Sequence, residues 1–345
     1  MAAQHMAWAK KLNLLRSGAN LLHRRLHPWS MPLHMQFELT NYCNLRCPVC
    51  PVGTRSIQRP PQAMDVEVFE RVMQEFGPYL LTASLWAWGE PLLHPRLKEI
   101  LHSARKHEAI TMLSTNGQQL NNDRVLEALL DEPPNYLIVA FDGLTDETNS
   151  QYRVGAKLAP IMEGVRRLAD EKQRRGQRAP LLTMRFIVMK HNQHETPHLQ
   201  AFAEQHGFEL LTIRNVFFID SVADARMSER LSPGDEVWKD CGNAFGGNAG
   251  QGGFICMEPF WYPTLFADGT VVLCEQDYNA SLSVGRVEGT ASFASLWRSK
   301  RAEELRRVIR DRRGSVDFCR KCPYLDRPIT DFNVEARFLT RELLP

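Results

Sequence analysis

No apolar run in these 345 residues reaches the ~18 that a membrane-spanning helix needs. No large surplus of charge is present either. The formal net charge is +2, so bulk electrostatics gives no reason to expect nucleic acid as a partner. The start, MAAQHMAWAKKLNLLRSGANLLHRRLHP, lacks the uninterrupted apolar stretch of a signal peptide. These absences give a cytoplasmic reading, and in a reducing compartment the 8 cysteines are metal ligands or redox groups in preference to disulfides. The 11 histidines are scattered and none shows metal-ligand spacing. What the chain has is apolar content, 43%, enough for one large domain and a smaller one.

The cysteines are unevenly placed. Cys43, Cys47 and Cys50 crowd into TNYCNLRCPVCP. Read as small core hydrophobes they would be oddly placed, because Asn41, Asn44, Arg46 and two prolines mark a loop. A closed structural zinc site needs a fourth ligand, and no further Cys or well-spaced His lies nearby. Three thiolates on a loop suit a four-iron cubane, with one iron left open to coordinate a small molecule.

Downstream, helical and strand patterns alternate. MPLHMQFELT reads as a strand ending at the cysteine loop, and DVEVFERVMQEFG as a helix with Val68, Phe69, Val72, Met73 and Phe76 at helical spacing. TASLWAW, AITMLS, NYLIVAF, LLTMRFIVM and FELLTIRNV read as further strands. PRLKEILHSARKH, NDRVLEALLD, LAPIMEGVRRLADEKQRR and HETPHLQAFAEQHG read as the helices between them. About six such alternations imply a parallel sheet curved into a partial or full barrel. The cysteine loop, WGEP, STNG and FDG then all fall at the carboxyl ends of strands, where such folds place their sites.

CNLRCPVC, WGEP, STNG and FDGLTDETNSQYRVG, in that order, resemble the radical S-adenosylmethionine (radical SAM) superfamily. The resemblance spans roughly residues 34–216. It implies an α/β fold, a partial (β/α)6 TIM-like barrel with a smaller C-terminal α+β cluster-binding domain. It further implies a [4Fe–4S] cluster whose open iron binds the amino and carboxylate groups of SAM, reductive cleavage of SAM to a 5′-deoxyadenosyl radical, and hydrogen abstraction from a substrate. Carried onto this chain, Cys43, Cys47 and Cys50 ligate the cluster and Val49 packs on adenine. Gly89 and Glu90 meet the SAM amino group, Ser114 and Asn116 bond the ribose or carboxylate, and Arg153 meets the carboxylate. Asp142 is a candidate for facing substrate, although Asp-Gly is also a common turn pair. Trp88 stands where the family's element has its first Gly, and Ala140 where many members have a Ser.

From 235 to 253 the chain is rich in Gly and Asn, a linker or long loop. TLFADGTVVLC then reads as a hairpin turning at Asp268-Gly269. Cys319 and Cys322 form a Cys-x2-Cys pair, and with Cys256 and Cys274 they suffice for one complete cluster, or for a four-thiolate zinc site. The layout resembles the SPASM/twitch group. That resemblance implies a second, auxiliary [4Fe–4S] cluster; the longer SPASM pattern needs seven or more C-terminal cysteines. Cys241 has no cluster assignment and is a candidate hydrogen-atom donor, or a cysteine without a role. The expected domains are an N-terminal helical extension at 1–33, the barrel at 34–216, a linker at 217–255, the auxiliary cluster domain at 256–326 and a tail at 327–345.

The substrate expected is a small polar metabolite, a sugar, aminocyclitol or nucleoside, which undergoes dehydrogenation or epimerisation. Asp142, Arg185, Arg214, Asn215, Glu258 and Trp261 are candidate contacts. A peptide substrate is the alternative, although only about 30 residues precede the first strand, fewer than a separate leader-recognition module needs. A non-catalytic iron–sulfur electron carrier is a third reading. The expected partner is a one-electron donor such as flavodoxin or ferredoxin. The basic stretch AWAKKLNLLRSGANLLHRRL places Trp8, Leu12, Leu15, Leu22 and Leu26 on one broad face. Such a helix could lie on an anionic membrane, and packing against the barrel is the expected arrangement.

Overall fold

In the computed structural model, residues 7–216, 225–234, 256–320, 322 and 333–339 are described. The chain runs α1 (Trp8–His23), β1 (His34–Phe37), α2 (Val66–Phe76), β2 (Thr82–Ser84), α3 (Leu97–Arg105), β3 (Ile110–Thr115), α4 (Asp123–Asp131), β4 (Tyr136–Ala140), α5 (Asp146–Ser150), α6 (Leu158–Arg175), β5 (Leu181–Val188), α7 (Leu199–Gln205) and β6 (Leu210–Asn215). It continues with α8 (Ala225–Leu231), α9 (Glu258–Trp261), β7 (Thr264–Leu265), β8 (Thr270–Val272), β9 (Gly285–Arg286), α10 (Phe293–Trp297), α11 (Lys300–Arg312), α12 (Asp317–Arg320) and β10 (Asn333–Phe338). The expected alternation from β1 to β6 is present.

Local chemistry sets the helix starts. The Asp65 side chain accepts the Glu67 amide at the head of α2, and Asn122 accepts those of Arg124 and Val125 at α4. At α10, Ser292 accepts the Ser295 amide, while Glu75 accepts those of Phe293 and Ala294. A carboxylate at a helix N-terminus also complements its dipole.

The chain divides into two compact units. The first comprises Met1–Tyr42, Ile57–Met112 and Ile255–Arg320; the second comprises Cys43–Ser56, Leu113–Phe254 and Lys321–Pro345. In the first, the strands lie in the order β9-β8-β7-β1-β2-β3, with β1, β2 and β3 parallel and β7 parallel to β1. The β7–β8 hairpin turns at Gly269, whose φ of 83° favours glycine. Phe37 packs on Phe69 at 4.8 Å between ring centroids, and Phe76 stacks on Phe293 at 4.5 Å. In the second unit β4, β5 and β6 run parallel and β10 closes the edge, antiparallel to β6. So β1 already has two neighbours, β2 and β7, and β6 has β5 and β10. Within the segment expected as a tail, β10 is thus a sheet strand.

Helix α1 packs with its polar face inward. Lys10, Asn13, Ser17 and Asn20 are buried. Lys10 Nζ donates to the carbonyls of His107 and Glu108, both at 2.9 Å. Asn13 donates to the Met31 carbonyl and accepts the Met31 amide. Asn20 donates to Ser30 Oγ and accepts the Trp29 amide. These bonds fix the helix by loop backbone groups that need partners, so Trp8, Leu12, Leu15 and Leu22 face outward.

Candidate functional site

The residues expected at strand ends fall in two groups, one in each unit. In the second unit the cysteine loop is wound tightly. The Cys50 amide donates to the Cys47 carbonyl, Thr54 N donates to the Cys50 carbonyl, and Arg46 N donates to the Val154 carbonyl. Gly53 passes so close to the Cys47 backbone that a Cβ would overlap it. Cys47 and Val49 are buried in an apolar cluster with Leu45, Tyr152, Ala156 and Met189, against which Cys43 and Cys50 also pack. None of the three is in a disulfide.

Amide groups are aimed at the sulfurs. Leu45 N donates to Cys43 Sγ at 3.4 Å, and the Val52 and Gly53 amides donate to Cys50. Burial nevertheless pushes the Cys47 thiol up to about 12, with Arg153 pulling the other way. Burial that raises the Cys47 and Cys50 thiols, beside backbone donors suited to thiolates on Cys43 and Cys50, favours a positively charged partner. Among the described residues, no three His, Cys, Asp or Glu side chains converge closely enough for a single metal ion.

The second unit also holds several of the other expected residues. Asn116, at the end of β3, donates to Asn44 Oδ1 at 2.8 Å and to Cys43 Sγ at 3.5 Å, and accepts the Gln118 amide. Ser114 is half-buried on β3. Arg153 Nε donates to Asp142 Oδ2 at 2.5 Å. The Asp142 side chain is fully buried, and its other oxygen accepts the Ile187 amide at 2.8 Å. Asn149 Oδ1 accepts the Asp142 amide, and Asn192 donates to its carbonyl. Arg185 and Arg214 are half-buried on β5 and β6, and Asn215 ends β6. Cys241 lies outside the described residues.

The first unit holds WGEP. Gly89 presses against Thr40, where a Cβ would overlap the Thr40 carbonyl. Glu90 is buried; its carboxylate accepts the Leu92 amide at 3.0 Å, and its carbonyl accepts Thr40 Oγ1 at 2.9 Å. The Trp88 indole, the departure noted in the sequence, donates to the Glu275 carbonyl at 2.9 Å and meets the Tyr278 ring edge-on. Trp88 therefore anchors the residue that follows Cys274. Gly89→Ala should lower stability by about 1–3 kcal/mol, since backbone cannot yield as a side-chain tip can. The urea midpoint measures it.

Cys256 and Cys319 meet in one apolar cluster with Ile309 and Val316. Cys274 is half-buried after β8, and Cys322, assigned to the second unit, is half-buried. Glu258, two residues after Cys256, is pushed up to about 8 by burial, with the Glu275 carboxylate adding to the shift. The Trp261 ring meets His34 edge-on at 4.7 Å. With its folded value above its unfolded one, Glu258 contributes stability in full below about pH 4.5, and that contribution is lost as pH rises through about 8. Glu258→Gln should flatten this decline, as read from urea midpoints across that range.

Sequence reasoning missed two residues. Arg59 and Glu38 form a buried bidentate pair beneath the β7–β8 hairpin. The only trace in sequence was a charged residue at each of two positions flanked by strand and turn patterns.

Residues 37–202 match the radical SAM superfamily. The chain thus carries a domain of the radical SAM superfamily over those residues. Residues 256–323 match the SPASM iron–sulfur cluster-binding domain, so it carries a C-terminal domain of that type. It is 25% identical over 186 residues to the tungsten-containing aldehyde ferredoxin oxidoreductase cofactor-modifying protein of Pyrococcus furiosus, covering 53% of this chain and 51% of that one. It is 26% identical over 180 residues to the PqqA peptide cyclase of Gluconobacter oxydans, covering 52% and 48%. The chain thus spans about half the length of these curated relatives. Among solved structures, Streptococcus suis SuiB bound to precursor peptide SuiA aligns with a TM-score of 0.62 at 14% identity, over 91% of this chain and 74% of that one. BtrN in complex with AdoMet and 2-DOIA aligns with a TM-score of 0.51 at 18% identity, over 84% and 92%. These likenesses establish the fold. The two domains imply a SAM-binding [4Fe–4S] cluster, an auxiliary iron–sulfur cluster and SAM. No helix among the described residues is long and apolar enough to cross a membrane.

Proposed function

We propose that this enzyme abstracts a hydrogen atom from a small polar metabolite, such as a sugar, aminocyclitol or nucleoside, and completes a dehydrogenation or epimerisation with one auxiliary [4Fe–4S] cluster. The observation that carries the reading is the set of three thiols, none of them in a disulfide, in one apolar nest, with backbone amides donating to two sulfurs and the Asn116 side-chain amide donating to Cys43. When bound, the SAM cluster supplies the electron that cleaves SAM.

The chain's own residues hold and orient. Cys43, Cys47 and Cys50 ligate that cluster, and Cys256, Cys274, Cys319 and Cys322 ligate the auxiliary one. Val49 offers its apolar surface to adenine. The Glu90 carboxylate suits the SAM ammonium. Asn116 and Ser114 serve the ribose. Arg153 serves the SAM carboxylate, and Asp142, through the Nε bond, fixes the plane of that guanidinium. Asp142 then acts as a positioning residue.

Support for a small substrate comes from the C-terminal cysteine count, which suits one auxiliary cluster. Further support is that the fold extends over 92% of BtrN, a protein solved with 2-DOIA. The name of the PqqA peptide cyclase supports the competing reading of a peptide substrate. The test is anaerobic turnover with flavodoxin or ferredoxin as donor, against a panel of sugars and cyclitols and a panel of peptides. Product mass falling by about two units marks dehydrogenation, and no change with inversion marks epimerisation. Turnover of peptides alone overturns the substrate class. Absence of 5′-deoxyadenosine in every arm overturns the enzymatic reading and favours an electron carrier. About eight irons per chain support two clusters, whereas about four with one zinc would remove the auxiliary cluster.

A further inference from the structure

Helix α1 spends its polar residues on the protein and presents its apolar ones outward. At 100° per residue, Trp8, Leu12, Leu15 and Leu22 fall within an arc of about 80°. They are 85%, 45%, 74% and 84% exposed. Lys11 borders one side of the arc, and Arg16 and His23 border the other. Beyond the helix, Trp29 is 54% exposed, with the Arg25 guanidinium 3.6 Å from its ring centre. A contiguous exposed stripe of this kind marks an interaction surface.

Charge selects the occupant. Residues 1–37 contain Lys10, Lys11, Arg16, Arg24 and Arg25 and no Asp or Glu. Lys10 is spent on the His107 and Glu108 carbonyls, which leaves four permanent cations around the stripe. A second copy docked face to face would set those same cations against each other. An apolar stripe rimmed by cations, with tryptophans beside it, matches the layered chemistry of a lipid headgroup boundary. We propose that α1 lies in the plane of an anionic membrane surface, with Trp8, Leu12, Leu15 and Leu22 in the acyl boundary and Lys11, Arg16, Arg24 and Arg25 on the headgroups. The enzyme would then work at a membrane face without spanning it.

The test is anaerobic co-sedimentation of the full-chain holoenzyme with vesicles. One set is phosphatidylcholine alone and the other replaces a third of it with phosphatidylglycerol. Binding to the anionic vesicles should exceed that to neutral ones by about tenfold and weaken with added salt. Leu15→Glu with Leu22→Glu should abolish binding, and Lys11→Glu with Arg16→Glu should lower it about tenfold. All four positions lie outside the catalytic machinery, so iron content and SAM cleavage without vesicles should not change. Quenching of tryptophan fluorescence by brominated lipid, lost in a Trp8→Phe, Trp29→Phe variant, places the stripe in the boundary independently of the charge variants. Equal binding to both vesicle sets, no binding, or unimpaired binding by the Leu15→Glu, Leu22→Glu variant overturns the proposal. So does sedimentation equilibrium showing a dimer that this variant dissociates, with no vesicle binding.

Discussion

Cys47→Ser is expected to reduce SAM cleavage by more than about a hundredfold, beyond the 10- to 100-fold that changes behind a metal ligand cost. Of the three sulfurs, Cys47 is both the most deeply placed and the one whose thiol is pushed up to about 12 by burial. A serine hydroxyl in that apolar nest would hold its proton more firmly still, and a hard oxygen is a poor partner for iron that thiolates favour. Iron should fall by roughly four per chain, the content of one cubane, with the auxiliary signal retained. Asn116→Ala is the graded control. It removes the side chain that reaches Cys43 Sγ and leaves every thiolate in place, so iron should persist while cleavage falls about tenfold. Anaerobic 5′-deoxyadenosine formation after reduction, alongside iron quantitation, reads both arms. Full iron and full cleavage in Cys47→Ser would remove the loop from the site.

The cysteine loop was legible because its chemistry resides in residue identity and spacing. Three thiols in a proline-bounded loop have few alternative uses. The strand-end loops were legible through the period of the strands before them. The β7–β8 turn was legible through Asp268-Gly269, where only a φ such as the 83° of Gly269 closes the hairpin. One long helix was expected over HETPHLQAFAEQHG. The chain instead forms a 3-10 turn at Gln193–His198 before α7, because Pro197 offers no amide to an α-helical ladder. Other features depend on distant partners. The two residues of β7 carry no pattern that selects β1 as a neighbour, and nothing in Asn333–Phe338 says that it will pair with β6. The orientation of helix α1 was not legible for a related reason. Periodicity locates an apolar face but cannot say that Asn13 and Asn20 are needed by the backbone of Met31 and Trp29.

Arg59→Ala should destabilise the protein by about 3–5 kcal/mol, the usual cost of stranding one partner of a buried pair. Glu38 has no exposed side-chain surface and Arg59 has 7%. The guanidinium grips both carboxylate oxygens, at 2.6 and 2.7 Å. Its Nε donates to the Tyr278 carbonyl, and its plane lies 3.8 Å from the centre of the Phe266 ring. Glu38 Oε2 also accepts the Ala267 amide. One pair thus ties the end of β1 to the hairpin that leads into Cys274. Burial already pushes Glu38 up from its ordinary value, and Arg59 opposes that shift. Without Arg59 the folded value climbs further above the unfolded one. The carboxyl's contribution to stability is then fully present below its unfolded value and is lost as pH rises through the folded one. The deficit of Arg59→Ala should therefore shrink as pH falls through that raised value, where Glu38 takes up a proton and stops being a stranded charge. Arg59→Met with Glu38→Gln should recover much of the loss, since a neutral pair carries no unpaid ionic desolvation. Urea midpoints at several pH values measure all three. A deficit that is independent of pH would mean that the lost packing on Phe266, and not the stranded charge, carries the effect.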